Sequence, residues 1–89
     1  MYIRFDVLIE GEKHPISVAV QVLGCSKGYA KIYWLASIDI YGEDEIYTLG
    51  SIEYVKDKPL LNYSYGNKCN SSDRITNISF SESISDFML

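Results

Sequence analysis

The segment YAKIYWLASIDIY, residues 29–41, has the most regular hydrophobic pattern in the chain. Its even positions are all apolar, whereas most of its odd positions are polar or amphipathic. The apolar even positions are Ala30, Ile32, Trp34, Ala36, Ile38 and Ile40. Alternation with a period of two is typical of a β-strand with one buried face and one solvated face. The pattern therefore predicts a single strand over residues 29–41, with Trp34 in the core.

This predicted strand is too long to stay straight in a small domain. Thirteen residues extend over about 40 Å at about 3.3 Å per residue. A chain of 89 residues has an expected radius of gyration of only about 12 Å. A strand of this length has to bend or contain a bulge, and such strands often close a barrel or pass between two sheets. The pattern therefore favours a small barrel or sandwich.

An N-terminal hairpin shows the same alternation. It joins a strand over residues 2–10 to a strand over residues 16–23. The predicted inward side chains are Ile3, Phe5, Val7 and Ile9 in the first strand and Ile16, Val18, Val20 and Val22 in the second. A loop over residues 11–14 sets Ile9 opposite Ile16, and every core residue then lies opposite another core residue.

The central hairpin joins the long strand to a strand over residues 45–55. A three-residue loop turns Ile46 and Ile52 inward. A four-residue loop turns Tyr47 and Leu49 inward but places a glutamate in the core, which carries a large desolvation cost. The three-residue loop is therefore preferred, although a bulge within the second strand would combine the two registers.

The second half of the chain adds two further strands. They cover residues 60–65 and 74–81, with a loop over residues 66–73 between them. A turn is expected over residues 24–28, between the second strand and the long strand, because glycines bound it on both sides. In the tail, residues 82–89, apolar side chains recur at helical spacing and predict one short helical turn.

These elements predict a single all-β domain over residues 1–89. The connections between strands are short, so the simplest topology is a six-stranded antiparallel meander. Such a meander buries its apolar face by curling into a barrel or by splitting into a small sandwich.

Composition disfavours nucleic acids and membranes as partners. Twelve acidic and eight basic residues give a net charge of −4, whereas a nucleic-acid-binding domain carries a basic patch. No apolar run approaches the roughly 18 residues of a membrane-spanning helix, and the N-terminus lacks a signal-peptide pattern. We therefore expect a cytoplasmic protein with a basic protein partner, and with Cys25 and Cys69 as free thiols.

No residue pattern points to catalysis or to a metal site. His14 is the only histidine, and its neighbour Glu12 makes a general-base pair conceivable, but an exposed loop histidine is the simpler interpretation. Cys25 and Cys69 lack the paired spacing of zinc ligands. We therefore expect neither enzymatic activity nor a cofactor.

The predicted binding surface is the acidic turn of the central hairpin together with tyrosines on its outward face. In the preferred register, Tyr47 lies across from Asp39 on that face. The predicted contact residues are Asp39, Tyr41, Glu43, Asp44, Glu45 and Tyr47. Carboxylates steer a basic partner, and tyrosine offers a large contact area with a polar tip. Tyrosine is also a good strand former, and charged turns are often simply solvated.

These features favour a non-enzymatic protein-binding module, such as an inhibitor, antitoxin or immunity-type protein that blocks a basic toxin or nuclease. No motif carries a resemblance to a particular family. The main competing hypothesis is a small barrel that binds an apolar or aromatic ligand near Trp34, where Ala36 and Gly50 leave space. A hydrolase that uses His14 stays open as well, as does a homo-oligomer formed through an edge strand or the C-terminal end.

Overall fold

The structure, a computed structural model, describes residues 1–42 and 44–87, with the side chains of residues 71 and 72 left out. Its elements within this part of the chain are β1 (Tyr2–Val7), β2 (Ile16–Lys27), β3 (Lys31–Leu35), β4 (Asp39–Tyr41), β5 (Ile46–Val55), β6 (Lys58–Tyr65), β7 (Lys68–Ser81) and a 3-10 helix (Ile84–Phe87). The radius of gyration is 12.6 Å. Among the described residues, no helix has the length and apolar character needed to cross a bilayer.

The strands close into a six-stranded antiparallel barrel. β1 pairs with β2 on one side and with β7 on the other, and β3 pairs with both β2 and β5. β6 joins β5 to β7 and completes the ring, while β4 pairs with β5 beyond the end of β3. The predicted all-β fold with a short C-terminal helical turn is therefore confirmed, and of the two predicted arrangements, barrel and sandwich, the barrel is formed.

Two long, bent strands allow the barrel to close. β2 pairs with β1 through residues 16–21 and with β3 through residues 22–27, with a bulge between Val22 and Gly24. β7 pairs with β6 in its first half and with β1 in its second half. A strand that turns from one sheet into another lets a small sheet wrap around its core. The segments predicted as a turn (24–28) and as a loop (66–73) lie mostly in these two strands, so both predictions are wrong.

The predicted single strand over residues 29–41 is also wrong, because the chain breaks between β3 and β4. At the break, the Ala36 amide donates to the Gln21 carbonyl at 2.9 Å, and the Ile38 carbonyl accepts from Leu49 at 3.0 Å. Before the break, the buried side chain is the odd-numbered Leu35. After the break, the side chains at even-numbered positions pack on the core, so the inward face changes from odd to even positions. Trp34 therefore faces outward and is 48 % exposed, contrary to prediction.

The N-terminal hairpin has the predicted inward face but a different register. Val7 pairs with Ile16, two residues away from the expected partner. β1 ends at Val7, and the connection that follows contains Gly11 at φ +91°, a conformation that favours glycine. A shift of two residues leaves the same side chains inward, since the side-chain period of a strand is two.

The central hairpin has the four-residue loop, with Tyr41 opposite Ile46. The preferred three-residue register is therefore wrong at the turn. A bulge in the β5–β6 pairing lies between Leu49 and Ser51, and it brings Leu49 and Ile52 both into the core. The bulge also turns Glu53 to the outer face, which removes the carboxylate burial that counted against this register.

The barrel interior is filled by side chains from every main strand. The most deeply buried are Phe5, Ile3, Ile9, Ile52, Leu61 and Val7. A six-stranded barrel has little interior volume beyond that of its own side chains. Between β5 and β6, the two-residue turn has positive φ at Lys56 (50°) and Asp57 (66°), as a tight hairpin requires.

Candidate functional site

The predicted contact residues belong to β4, to β5 and to the loop between these two strands. We call Asp39, Tyr41, Asp44, Glu45 and Ile46 the acidic tip. Glu43, which was also predicted as a contact residue, lies outside the described residues. The Gly42 amide donates to the Glu45 carbonyl at 2.9 Å and closes the loop. A closed loop holds its flanking side chains in one arrangement.

Tyr41 and Ile46 are the apolar part of the acidic tip. They are direct cross-strand partners, and both are exposed, Tyr41 at 76 % and Ile46 at 47 %. The carboxylates of Asp39, Asp44 and Glu45 lie on exposed residues beside them. An exposed aromatic ring framed by charge has the composition of a protein-binding hot spot.

Asp39 is oriented by the neighbouring strand. Its Oδ1 accepts a hydrogen bond of 2.8 Å from Thr48 Oγ1, and Thr48 is its cross-strand partner. The prediction that Tyr47 lies across from Asp39 is therefore wrong. Because Thr48 occupies that position, the carboxylate is held at the surface beside Tyr41.

Tyr47 faces the barrel interior and is only 6 % exposed, so its predicted outward orientation is wrong. Its hydroxyl donates to Glu12 Oε1 at 3.1 Å. Glu12 belongs to the connection between β1 and β2, 35 residues away in sequence. The hydrogen bond therefore ties this connection to the base of the acidic tip.

Gly42 packs directly against this hydrogen-bonded pair. A Cβ at position 42 would lie 2.6 Å from Tyr47 Cε2, 2.8 Å from Glu12 Oε1 and 3.2 Å from the Glu45 carbonyl oxygen. Distances this short leave no space for a side chain. Sequence reasoning did not identify Glu12 or Gly42 as supports of the tip, because no local pattern reports so distant a contact.

Most of the tyrosines line the interior, so the predicted tyrosine-rich outer sheet face is not present. Tyr47, Tyr63 and Tyr65 form one ring cluster, with centroids 5.6–6.1 Å apart. Tyr33 and Tyr54 pack together elsewhere, with centroids 5.9 Å apart. The exposed tyrosines of the described chain are Tyr29 and Tyr41.

Two of these interior phenols contact carboxylates. Burial raises the pKa of Tyr47, and the hydrogen bond to Glu12 raises it further. Tyr63 donates to Asp73 Oδ2, and burial together with this contact raises the pKa of Tyr63 well above its ordinary value. Both phenols therefore stay protonated and keep donating to their carboxylates at neutral pH.

Two shallow depressions lie on either side of Tyr41. One is lined by residues 12–16 of the β1–β2 connection, and the other by residues 44–46 and Gly66. His14 lies in the first depression as an exposed residue. In the described part of the chain, no group of three or more potential ligands is placed to hold a metal ion. Cys25 and Cys69 are exposed and free.

The space predicted beside Trp34 is not formed. The indole N–H donates to Ser26 Oγ at 3.0 Å on the outer surface. Gly50 lines a separate surface groove with Thr48 and Asn62. The geometry that motivated a ligand site near Trp34 is therefore wrong.

Comparison with known proteins gives no match. No family model matches this chain, and neither a curated protein nor a solved structure is similar to it.

We predict that Gly42→Ala destabilises the protein by about 1–3 kcal/mol, because the new Cβ overlaps the Tyr47 ring. Gly28→Ala is the matched control, since a Cβ there meets nothing within 4 Å. The control should leave stability unchanged or raise it by up to about 1 kcal/mol. Urea unfolding measures both. Equal stabilities for the two variants would contradict the packing at Gly42.

We also predict that the protein loses stability above about pH 10. Tyr47 and Tyr63 have raised pKa values in the folded state, so the unfolded chain releases these protons first. Each such group contributes a slope of up to about 1.4 kcal/mol per pH unit in that range. Burial raises the pKa of Tyr54 as well, and this shift adds to the slope.

Urea unfolding between pH 8 and pH 11 checks this pH dependence (a range chosen around the ordinary tyrosine pKa of about 10). Tyr63→Phe should flatten the decline, because the variant lacks one of these phenols. Tyr29→Phe is the control, because it removes a fully exposed phenol, and it should leave the decline unchanged. A stability that is constant across this range would show that Tyr47 and Tyr63 are accessible in the folded state.

Proposed function

We propose that this protein is a non-enzymatic protein-binding module that blocks a more basic partner, in the manner of an inhibitor or immunity protein. The observation that carries the proposal is Tyr41, which is 76 % exposed on a closed hairpin loop beside three exposed carboxylates. A ring this exposed offers a large apolar area for a partner to cover.

Preorganisation of the acidic tip supports this function. The Gly42 backbone lies against Tyr47 and Glu12, and Asp39 is held by Thr48. Side chains that are already ordered lose little entropy when a partner binds, so more of the contact energy contributes to affinity. The tip therefore has the properties of a rigid binding element.

The charge of the tip defines the partner that fits it. Asp39, Asp44 and Glu45 favour a surface rich in arginine and lysine, and arginine can also stack on the ring of Tyr41. A partner of this kind would be a basic enzyme or another basic protein whose working surface the tip covers. We place this activity in the cytoplasm, because two exposed free cysteines suit a reducing compartment.

Two variants separate the roles of charge and contact. Asp44→Asn with Glu45→Gln should slow association with the partner about tenfold or more at low salt and weaken its salt dependence. Tyr41→Ala should leave the association rate nearly unchanged and raise the dissociation rate, with about 30-fold weaker affinity for a loss near 2 kcal/mol. Affinity capture from the native host, followed by stopped-flow kinetics with the purified partner, measures both.

A variant with equal charge loss elsewhere serves as the control. Glu10→Gln with Glu82→Gln also removes two exposed carboxylates and should bind like the native protein. Capture of no stoichiometric partner, or a partner bound equally well by all three variants, would contradict the proposal. Equal slowing by the tip variant and the control would assign the effect to net charge alone.

A further inference from the structure

The two ends of β5 have opposite charge. β5 starts at Ile46 in the acidic tip and ends at Val55, roughly 30 Å away at about 3.3 Å per residue. This separation is several times the Debye length of about 8 Å at physiological salt. Each end therefore presents its own electrostatic field to a partner.

Lysines cluster around the far end of β5. We call Lys27, Lys31, Lys56 and Lys58 the lysine end. Strand register places these residues at the same end of the barrel. Lys27 pairs with Lys31 and Lys31 with Tyr54, while Lys58 pairs with Val55, whose side chain points to the opposite face from that of Tyr54. Within the two turns of this region, residues 27–31 and 55–58, Asp57 is the single carboxylate. The lysine end thus has a local charge near +3.

Aromatic rings hold one of these ammonium groups in place. Lys31 Nζ lies 5.1 Å from the centroid of the Tyr33 ring and 5.9 Å from that of Tyr54. Tyr33 also packs against Phe80 at 5.3 Å, which fixes the ring below the lysine. An ammonium held over aromatic faces is oriented before any anion arrives.

Exposed apolar side chains accompany the lysines. Tyr29 is fully exposed in the turn between β2 and β3, and Val55 is exposed at the end of β5. The acidic tip has the same kind of pair, Tyr41 with Ile46. The two ends therefore each carry a similar pair of exposed apolar side chains but are opposite in charge. The acidic tip has three described carboxylates, whereas the lysine end has four lysines and one carboxylate.

We propose that copies of this chain associate head to tail, the acidic tip of one protomer bound to the lysine end of the next. Such a contact joins two different surfaces, so it leaves a free tip at one terminus of the assembly and a free lysine end at the other. Exposed ion pairs contribute at most about 1 kcal/mol each. The association is therefore weak, concentration-dependent and sensitive to salt.

A second copy fits the lysine end better than a nucleic acid does. Single-stranded nucleic acids are bound along extended basic grooves, whereas the lysines of this end lie in and beside two short turns. The tip, by contrast, carries a compact charge of similar size. This inference shares the acidic tip with the proposed function, while the lysine end takes part only in self-association.

Head-to-tail contact would regulate the proposed function by competition. A tip that is occupied by the next protomer is not available to a basic partner. A partner that binds the tip more tightly would therefore separate the assembly into single protomers.

Sedimentation equilibrium of the native protein at low salt tests the association. The weight-average mass should rise above the 10.1 kDa of one chain as concentration increases, and it should return to that value at about 0.5 M salt. A mass of one chain at every concentration in low salt would overturn the proposal.

Charge reversal identifies the surfaces. Asp44→Lys with Glu45→Lys removes the net negative charge of the tip, and Lys56→Glu with Lys58→Glu makes the lysine end acidic. Each variant alone should be monomeric, and an equimolar mixture should form heterodimers, because the second variant keeps the native tip and the first keeps the native lysine end. Arg4→Glu reverses an exposed charge that lies in β1, outside both proposed surfaces, and should associate like the native protein.

Three results would count against the proposal. Association that survives Lys56→Glu with Lys58→Glu would assign it to another surface, and a mixture without rescue would refute the pairing of ends. A single-stranded oligonucleotide bound by monomeric native protein, but not by the lysine-end variant, would identify nucleic acid as the occupant. The lysine-end variant keeps the acidic tip, so its binding to a basic partner tests the proposed function separately.

Discussion

The fold depends on the antiparallel pairing of β1 with the second half of β7, which closes the ring of strands. Closure of so small a ring requires strands that bend, and bulges at which the inward-pointing positions change from odd to even numbers or the reverse. β2 and β7 bend between sheets, and a bulge in the β5–β6 pairing brings Leu49 and Ile52 both inward. Each of these irregularities lets a short chain enclose a continuous core.

The candidate site is a consequence of that closure. The four-residue loop between β4 and β5 sends Tyr41 outward and Tyr47 inward, and Tyr47 reaches Glu12 of the β1–β2 connection. The hydrogen bond and the close approach of Gly42 fix the loop that carries the exposed carboxylates. β5 extends from the acidic tip at its start to the lysine end at its finish, so one strand connects both proposed surfaces.

Alternation of apolar and polar residues was sufficient to predict an all-β domain and the inward faces of β1 and β2, where Ile3 and Phe5 have polar neighbours, but it left barrel and sandwich open. It failed where both faces of a strand are amphipathic. Trp34 and Leu35 are both apolar, so the sequence pattern does not decide which of them is buried. The hydrogen bonds at the interruption between β3 and β4 decide it. Residues 66–73 resemble a loop in composition, yet most of them form a strand because β6 offers its edge for pairing. Long-range contacts such as Tyr47 with Glu12 have no local signal in the sequence.

The acidic tip depends on which tyrosines face solvent, and chemical nitration measures their exposure. Tetranitromethane attacks the accessible phenolate, so a short treatment at mildly alkaline pH followed by peptide mass spectrometry ranks the eight tyrosines by accessibility. Rapid modification of Tyr29 and Tyr41, with protection of Tyr47 and Tyr63, is the predicted result. Modification of Tyr47 as fast as Tyr41 would contradict the inward packing that holds the acidic tip in place.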